Sequence, residues 1–177
     1  MLLSCLGLVF LSPIMIVVFI LCYFDTGKPI FAQERIGYNK KIFKLYKFRT
    51  MSLETKSIAS HLVNNSNITK IGSFMRKTKL DELPQLYNVL VGEMSFVGPR
   101  PNLINQKELI IARDSHLIYS VKPGITGLSQ IKNIDMSTPR LLAETDKLMI
   151  KTMSLKSYFI YIFKTISGAG SGDAAKN

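Results

Sequence analysis

Two adjacent carboxylates, Asp81 and Glu82, stand in the run Leu80-Asp81-Glu82-Leu83-Pro84-Gln85. Neighbouring side chains on a helix point about 100° apart, so the pair does not fill one slot. That geometry suits a division of labour in which one carboxylate attacks and the other holds a metal. Mg²⁺ takes one or two carboxylates together with substrate phosphate oxygens. A carboxylate nucleophile forms an acyl-phosphate in some phosphoryl-transfer enzymes. A place at a helix N-terminus would keep Asp81 ionised, as a nucleophile requires. The plainer alternative makes Asp81 an N-cap and Glu82 a first-turn acid favoured by the helix dipole. Candidate anion binders are Arg49, Arg76, Lys77, Lys79 and Arg100. Arg100 lies between Pro99 and Pro101, and a planar, always-charged fork on a stiff backbone suits a diphosphate. Its alternative is a surface arginine in a turn. Gly124-x-x-Gly127 could bring backbone N–H groups to phosphate, a weaker signal.

These residues need elements to carry them. Ile71, Phe74 and Met75, then Leu80, Leu83, Leu86, Tyr87 and Leu90, recur at spacings of three and four and predict helix over 71–92. Asp81 is expected to cap a second helix there, with Pro84 in its first turn and Gly92 ending it. Residues 102–118 read as an amphipathic helix, and 141–166 as one long helix with Lys147, Lys151, Lys156 and Lys164 flanking its apolar face. Lys28–Gln33 and Ile42–Phe48 read as short strands, separated by a turn at Gly37-Tyr38-Asn39. Gly98-Pro99-Arg100-Pro101 is a rigid turn, and Pro123-Gly124 with Gly127 marks a loop. Residues 52–70 are polar and patternless, so they read as a surface loop. Asn64 and Asn67 head sequons that would matter only in a secreted segment. Residues 167–177 have flexible-linker composition.

The charge and hydropathy set the context. The chain has 177 residues and a net charge of +11, with 23 Lys+Arg against 12 Asp+Glu. An apolar share of 47% supports a sizeable core and excludes wholesale disorder. Two cysteines cannot staple a secreted mini-domain. Cys5 and Cys22 read as small hydrophobes, His61 and His116 stand far apart, and no zinc site is expected. The excess of base calls for a negative partner: nucleic acid, phosphorylated substrate or anionic lipid. Yet the mean hydropathy is positive, at +0.18. The resolution lies in Met1–Phe24, which contains no Asp, Glu, Lys, Arg or His. As a straight helix this run would reach roughly 36 Å, against a hydrocarbon core of roughly 30 Å. It lacks the basic n-region and small-residue cleavage site of a signal peptide. Ser12-Pro13 sits in its middle, and a proline there bends or breaks a helix. A single span and a re-entrant helix both fit these residues, Ser12 being able to serve a freed carbonyl in the second. Lys40, Lys41, Lys44, Lys47 and Arg49 interleave with Phe43, Tyr46 and Phe48, a pattern open to nucleic acid, a membrane interface or a solvated strand face.

Several stretches together resemble one family, the small monotopic bacterial sugar transferases that act as polyprenyl-phosphate phosphoglycosyl transferases. They are Ser12-Pro13, Lys28-Pro29-Ile30-Phe31, Tyr46-Lys47-Phe48-Arg49-Thr50-Met51, Leu80 to Leu86, Asn88-Val89-Leu90, Gly92 to Pro101, and Lys122-Pro123-Gly124-Ile125-Thr126-Gly127. The resemblance covers about residues 2–166, and its long block from Asp81 to Pro101 is specific. It implies transfer of a sugar 1-phosphate from a UDP-sugar to polyprenyl phosphate, with Mg²⁺ as cofactor and UMP as product. By match, Asp81 attacks the sugar-linked phosphate and Glu82 holds Mg²⁺. Lys47 and Asp146 match further functional positions, Arg76 matches an arginine associated with phosphate, and Gln85 falls in the same motif. Arg49 and Arg100 complete the expected substrate-binding set.

The implied architecture is mainly α with short β segments. A re-entrant membrane helix broken at Ser12 and Pro13 (1–24) would precede a compact α/β domain (25–166) with interfacial amphipathic helices, then a flexible tail (167–177). The domain would lie on the cytoplasmic face of the bacterial inner membrane, against anionic lipid, with no nucleic-acid partner. The competing reading is a membrane-tethered basic nucleic-acid-binding module without catalysis. The chain departs from the family at Leu128–Asp135, where a Trp and a Gly-Arg-Asn motif are missing, and after Asp146, where a tyrosine is replaced by Leu148-Met149-Ile150. The first departure falls on the sugar-recognising loop. Basic residues that usually precede the apolar run are missing, so Met1 need not be the natural start. The absence of a long N-terminal extension points to the minimal form of the family.

Overall fold

The computed structural model describes residues 2–53 and 67–170. The sequon at Asn64, His61, most of the loop expected over 52–70 and the tail from 171 onward lie outside the described residues. The chain is mostly helical with short strands, and it divides into two compact units.

The first unit contains residues 2–33, 44–53 and 67–92 of the described chain. Its longest element is α1 (Leu2–Thr26). This helix is long and apolar enough to cross a membrane, and only 11% of its most apolar window is buried. Pro13 lies inside it. Proline has no N–H to give the carbonyl four residues back, and the Ser12 hydroxyl donates to that carbonyl, Val9 O, at 2.7 Å. The helix therefore runs through Ser12-Pro13 rather than ending there. Its buried side chains are Ser4, Val18 and Cys22. Gly7 fits against Leu86, 3.4 Å from where a Cβ would stand. Val18 and Cys22 pack with Phe48 and Met75. Both ends of α1 thus rest on the same unit.

Strands β1 (Ile30–Ile36) and β2 (Ile42–Phe48) form a two-stranded sheet. The turn between them, Tyr38–Lys40, places Asn39 and Lys40 at φ 49° and 59°. Phe43 and Phe48 are buried, and Tyr46 meets Tyr87 edge-on. The aromatic side chains of the basic stretch are thus spent on packing, which leaves the two phenylalanines no face for stacking bases.

Helix α2 (Lys70–Thr78) begins at an N-cap, Thr69, whose hydroxyl accepts from Gly72 N. It ends at Lys79, in the left-handed region at φ 58°. The helical stretch expected over 71–92, with a second helix starting at Asp81, is indeed two helices, but the second starts later: a 3-10 turn, Leu80–Glu82, follows Lys79 and leads into α3 (Gln85–Leu90). Asp81 is inside the turn and caps neither helix. Pro84 stands at the N-cap position of α3, and Gly92 stops the chain beyond it at φ 85°.

The second unit contains residues 34–43 and 93–170 of the described chain. Strands β3 (Ser95–Val97) and β4 (Gly124–Thr126) pair in parallel, Ser95 opposite Gly124 and Val97 opposite Thr126. Helices α4 (Lys107–Asp114), α5 (Leu128–Ile131), α6 (Pro139–Lys151) and α7 (Leu155–Ile166) complete it. The helix expected over 102–118 shrinks to α4, because Asn102 and Leu103 are held in a bridge and a loop instead. The long helix expected over 141–166 is two helices. Ser154 starts the second with a reciprocal capping box to Ser157, which satisfies the orphan N–H groups of a new N-terminus. One core cluster joins Val97, Met149 and Tyr161, and another joins Leu109, Met136 and Leu142. On α7, Leu155, Phe159, Phe163 and Ile166 remain exposed beside Lys156 and Lys164.

Candidate active site

The first unit holds Asp81, Glu82, Lys47, Arg49, Arg76 and Gln85. The carboxylates belong to the turn between α2 and α3. Leu80 and Leu83, flanking them, pack on the cluster of Val18, Cys22, Phe48 and Met75. The leucines on either side of the carboxylates therefore anchor the turn to the apolar helix. Asp81 is buried, at 7% exposure. Glu82 accepts a hydrogen bond from Lys47 Nζ at 2.7 Å, with both side chains mostly shielded from water. A half-buried ion pair is screened less than a surface one, so Lys47 fixes where the Glu82 carboxylate stands.

Lys47 is itself set by β2. Asn88, fully buried on α3, donates from Nδ2 to Lys44 O at 2.7 Å and accepts from Tyr46 N at 3.2 Å. One side chain thus replaces a missing sheet neighbour for two backbone groups of β2. Asn88 entered the sequence reading only as part of the matched stretch Asn88-Val89-Leu90, with no role given to it; an amide in the middle of the helix was the available signal.

Arg76 Nε donates to Thr50 Oγ1 at 3.0 Å. Arg49 donates from Nε to Lys28 O at 2.9 Å and lies 5.3 Å above the Phe31 ring. Its guanidinium closes the start of β1 onto the end of β2. Gln85 is buried at the first position of α3. Among the described residues, no group of three or more His, Cys, Asp and Glu could hold a metal ion. That donor set does not suit a closed protein cage. A single hard oxygen donor, the Glu82 carboxylate, would be enough for Mg²⁺, which keeps several waters and takes substrate phosphate as ligand.

Arg100 and Asp146 belong to the second unit. Asp146 is fully buried on α6. Its Oδ2 accepts from Arg113 at 2.6 Å and its Oδ1 from the Ser129 hydroxyl at 2.8 Å. Burial pushes the Asp146 carboxyl up, and the Arg113 charge and the two donors pull against that shift. Arg113, also buried, reaches Arg100 O and Asn102 Oδ1 as well. Sequence reasoning missed Arg113 and Asn102; one basic residue on a mixed-charge helix reads as solvated. The glycines of Gly124-x-x-Gly127 serve close backbone approach. Gly124 N donates to Pro99 O at 2.9 Å, and a Cβ on Gly124 would stand 2.0 Å from Gly98 N.

Known proteins share this chain's pattern. The model of the bacterial sugar transferase family matches residues 1–171. The UDP-glucose:undecaprenyl-phosphate glucose-1-phosphate transferase of Klebsiella pneumoniae is 38% identical over 175 residues, covering 91% of this chain and 38% of that protein. The undecaprenyl-phosphate galactose phosphotransferase of Salmonella typhimurium is 34% identical over 178 residues, covering 89% of this chain and 37% of that protein. The exopolysaccharide production protein ExoY of Sinorhizobium fredii is 35% identical over 183 residues, covering 93% of this chain and 80% of that protein. The chain spans about two fifths or less of the length of several larger curated relatives. A match that runs through the Asp81-Glu82 turn, the Pro99–Pro101 segment and the apolar helix alike leaves one assignment: the chain belongs to the bacterial sugar transferases.

Proposed function

We propose that this chain transfers a sugar 1-phosphate from a UDP-sugar to polyprenyl phosphate, the first membrane step of a surface glycan pathway. The observation that carries the reading is the Asp81-Glu82 turn, held by Leu80 and Leu83 on the apolar helix with Lys47 bonded to Glu82. In the first step an Asp81 carboxylate oxygen attacks the sugar-linked phosphorus. The bond from that phosphorus to the UMP oxygen breaks, and UMP leaves. In the second step an oxygen of polyprenyl phosphate attacks the same phosphorus, the aspartyl bond breaks, and polyprenyl-diphospho-sugar forms. Glu82 would hold Mg²⁺, which supplies charge neutralisation between two anionic substrates when bound. Lys47 keeps the Glu82 carboxylate oriented, and Arg76 of the same unit offers cationic charge to phosphate oxygens; Arg100, in the second unit, is by itself a diphosphate binder in this reading. Incubating the extracted protein with a panel of UDP-sugars, polyprenyl phosphate and Mg²⁺ is expected to release UMP, and a chelator to stop it. Absence of UMP with every sugar would overturn the reading.

The lipid substrate is confined to the bilayer, so a site anchored on α1 fits that substrate. We read α1 as re-entrant at the cytoplasmic face of the inner membrane. Its Gly7 region rests on α3 and its Val18–Cys22 region on α2, both in one unit. A span standing away from the globular part would leave the Gly7 region without its contact to Leu86. In a background lacking Cys5 and Cys22, Leu2→Cys and Ile30→Cys should be labelled from the same side of sealed vesicles. Labelling from opposite sides would establish a span instead.

A further inference from the structure

The segment Pro99–Asn102 is built in an unusual way. Pro99 and Pro101 have no N–H, so the segment cannot pair as an ordinary strand, and its buried carbonyls need donors from elsewhere. Four consecutive carbonyls find them. Pro99 O accepts from Gly124 N at 2.9 Å and Asn102 O from Ile36 N at 2.9 Å. Arg100 O accepts from Arg113 Nη1 at 2.8 Å, and Pro101 O from Arg35 Nη1 at 3.0 Å. Arg113 Nη1 also donates to Asn102 Oδ1 at 3.0 Å, which Tyr119 bonds as well. The other end of the fork, Nη2, is fixed by Asp146, itself held by Ser129.

From this arrangement we infer that Arg113 is a positioning residue: its guanidinium, aligned by Asp146, sets the backbone from which Arg100 reaches a diphosphate. The inference rests on the transferase reading for the role of Arg100. Prolines on both sides fix two φ angles of the segment, so holding the Arg100 carbonyl holds the base of its side chain. Both Asp146 oxygens are engaged within the fold, so Asp146 acts through Arg113 rather than on substrate. A lysine at 113 keeps the charge but presents one nitrogen, which cannot serve Arg100 O, Asn102 Oδ1 and Asp146 Oδ2 as a planar fork does.

The test uses the full chain, with UDP and Mg²⁺ as the probe, in Arg113→Lys, Arg100→Ala and the double variant. Calorimetry should show Arg113→Lys weakening UDP binding about tenfold, Arg100→Ala doing the same, and the double variant no weaker than Arg100→Ala. Hydrogen exchange should quicken in 98–103 while α7 is unchanged. The inference is overturned by losses that multiply in the double variant, by unchanged exchange in 98–103, by exchange that rises throughout the second unit, or by wild-type protein that does not bind UDP. UMP release is measured separately. UDP binding that depends on Arg113 through Arg100, without UMP release, would sink the transferase reading and leave the positioning role standing.

Discussion

Replacing Asp81 by Asn should reduce UMP release by about 10³-fold or more, because it removes the group proposed to attack and leaves the shape of the site in place. The turn that carries Asp81 is closed by backbone bonds, Glu82 N to Lys79 O at 3.1 Å and Leu83 N to Leu80 O at 3.3 Å. Leu80 and Leu83 still pack on Phe48 and Met75. The variant should therefore fold and extract as the parent does, and circular dichroism checks that. Intact mass spectrometry isolates the chemistry. With UDP-sugar and Mg²⁺ but no polyprenyl phosphate, the parent should gain the mass of a sugar phosphate, and Asp81→Asn should gain nothing. Glu82→Gln should be slow and still accumulate the adduct, since Glu82 does not form the bond. An adduct on Asp81→Asn would move the nucleophile elsewhere.

The residues proposed for the chemistry were easier to single out in the sequence than the scaffold that holds them. Asp81 and Glu82 announce themselves by type and adjacency, whereas their support is long-range. Lys47 meets Glu82 across 35 positions and Arg113 meets Asp146 across 33, separations that no local pattern encodes. Periodicity marked where helices lie but not where they stop. The apolar spacing continues through Lys79, although that residue takes a left-handed conformation and divides the run. It also continues past Thr152, although Ser154 caps a new helix. Strands β3 and β4 have three residues each, too few to show alternation, and the visible trace is Gly98 just after β3 and Gly124 at the start of β4. The roles of Arg113 and Asn88 went unread for a shared reason. Polar residues are expected in water unless partners are known, and here the partners are backbone groups and side chains brought in from distant parts of the chain by the fold.

Gly72→Ala should be the most damaging small substitution in the first unit. A Cβ there would stand 2.1 Å from Thr50 O, 2.7 Å from its carbonyl carbon and 2.8 Å from its Cα, all backbone atoms that cannot rotate away. Relief requires α2 to move off Thr50. That movement would stretch Thr69 N to Thr50 O at 3.1 Å and Arg76 Nε to Thr50 Oγ1 at 3.0 Å. It would also lift Met75, which is 1% exposed, from Cys22. Overpacking of this kind costs about 3 kcal/mol, which for a chain of this size lowers Tm by roughly 6–12 °C. Gly27→Ala is the control. Gly27 has φ 72° and nothing within 4 Å of a Cβ, so only the left-handed strain applies, about 1 kcal/mol. Thermal unfolding of both variants in the same detergent separates close approach from backbone strain, and equal shifts would refute the tight seat of α2 on Thr50. Because α2 leads directly into the Asp81 turn, Gly72→Ala should also lose UMP release at temperatures where it remains folded, whereas Gly27→Ala should keep it.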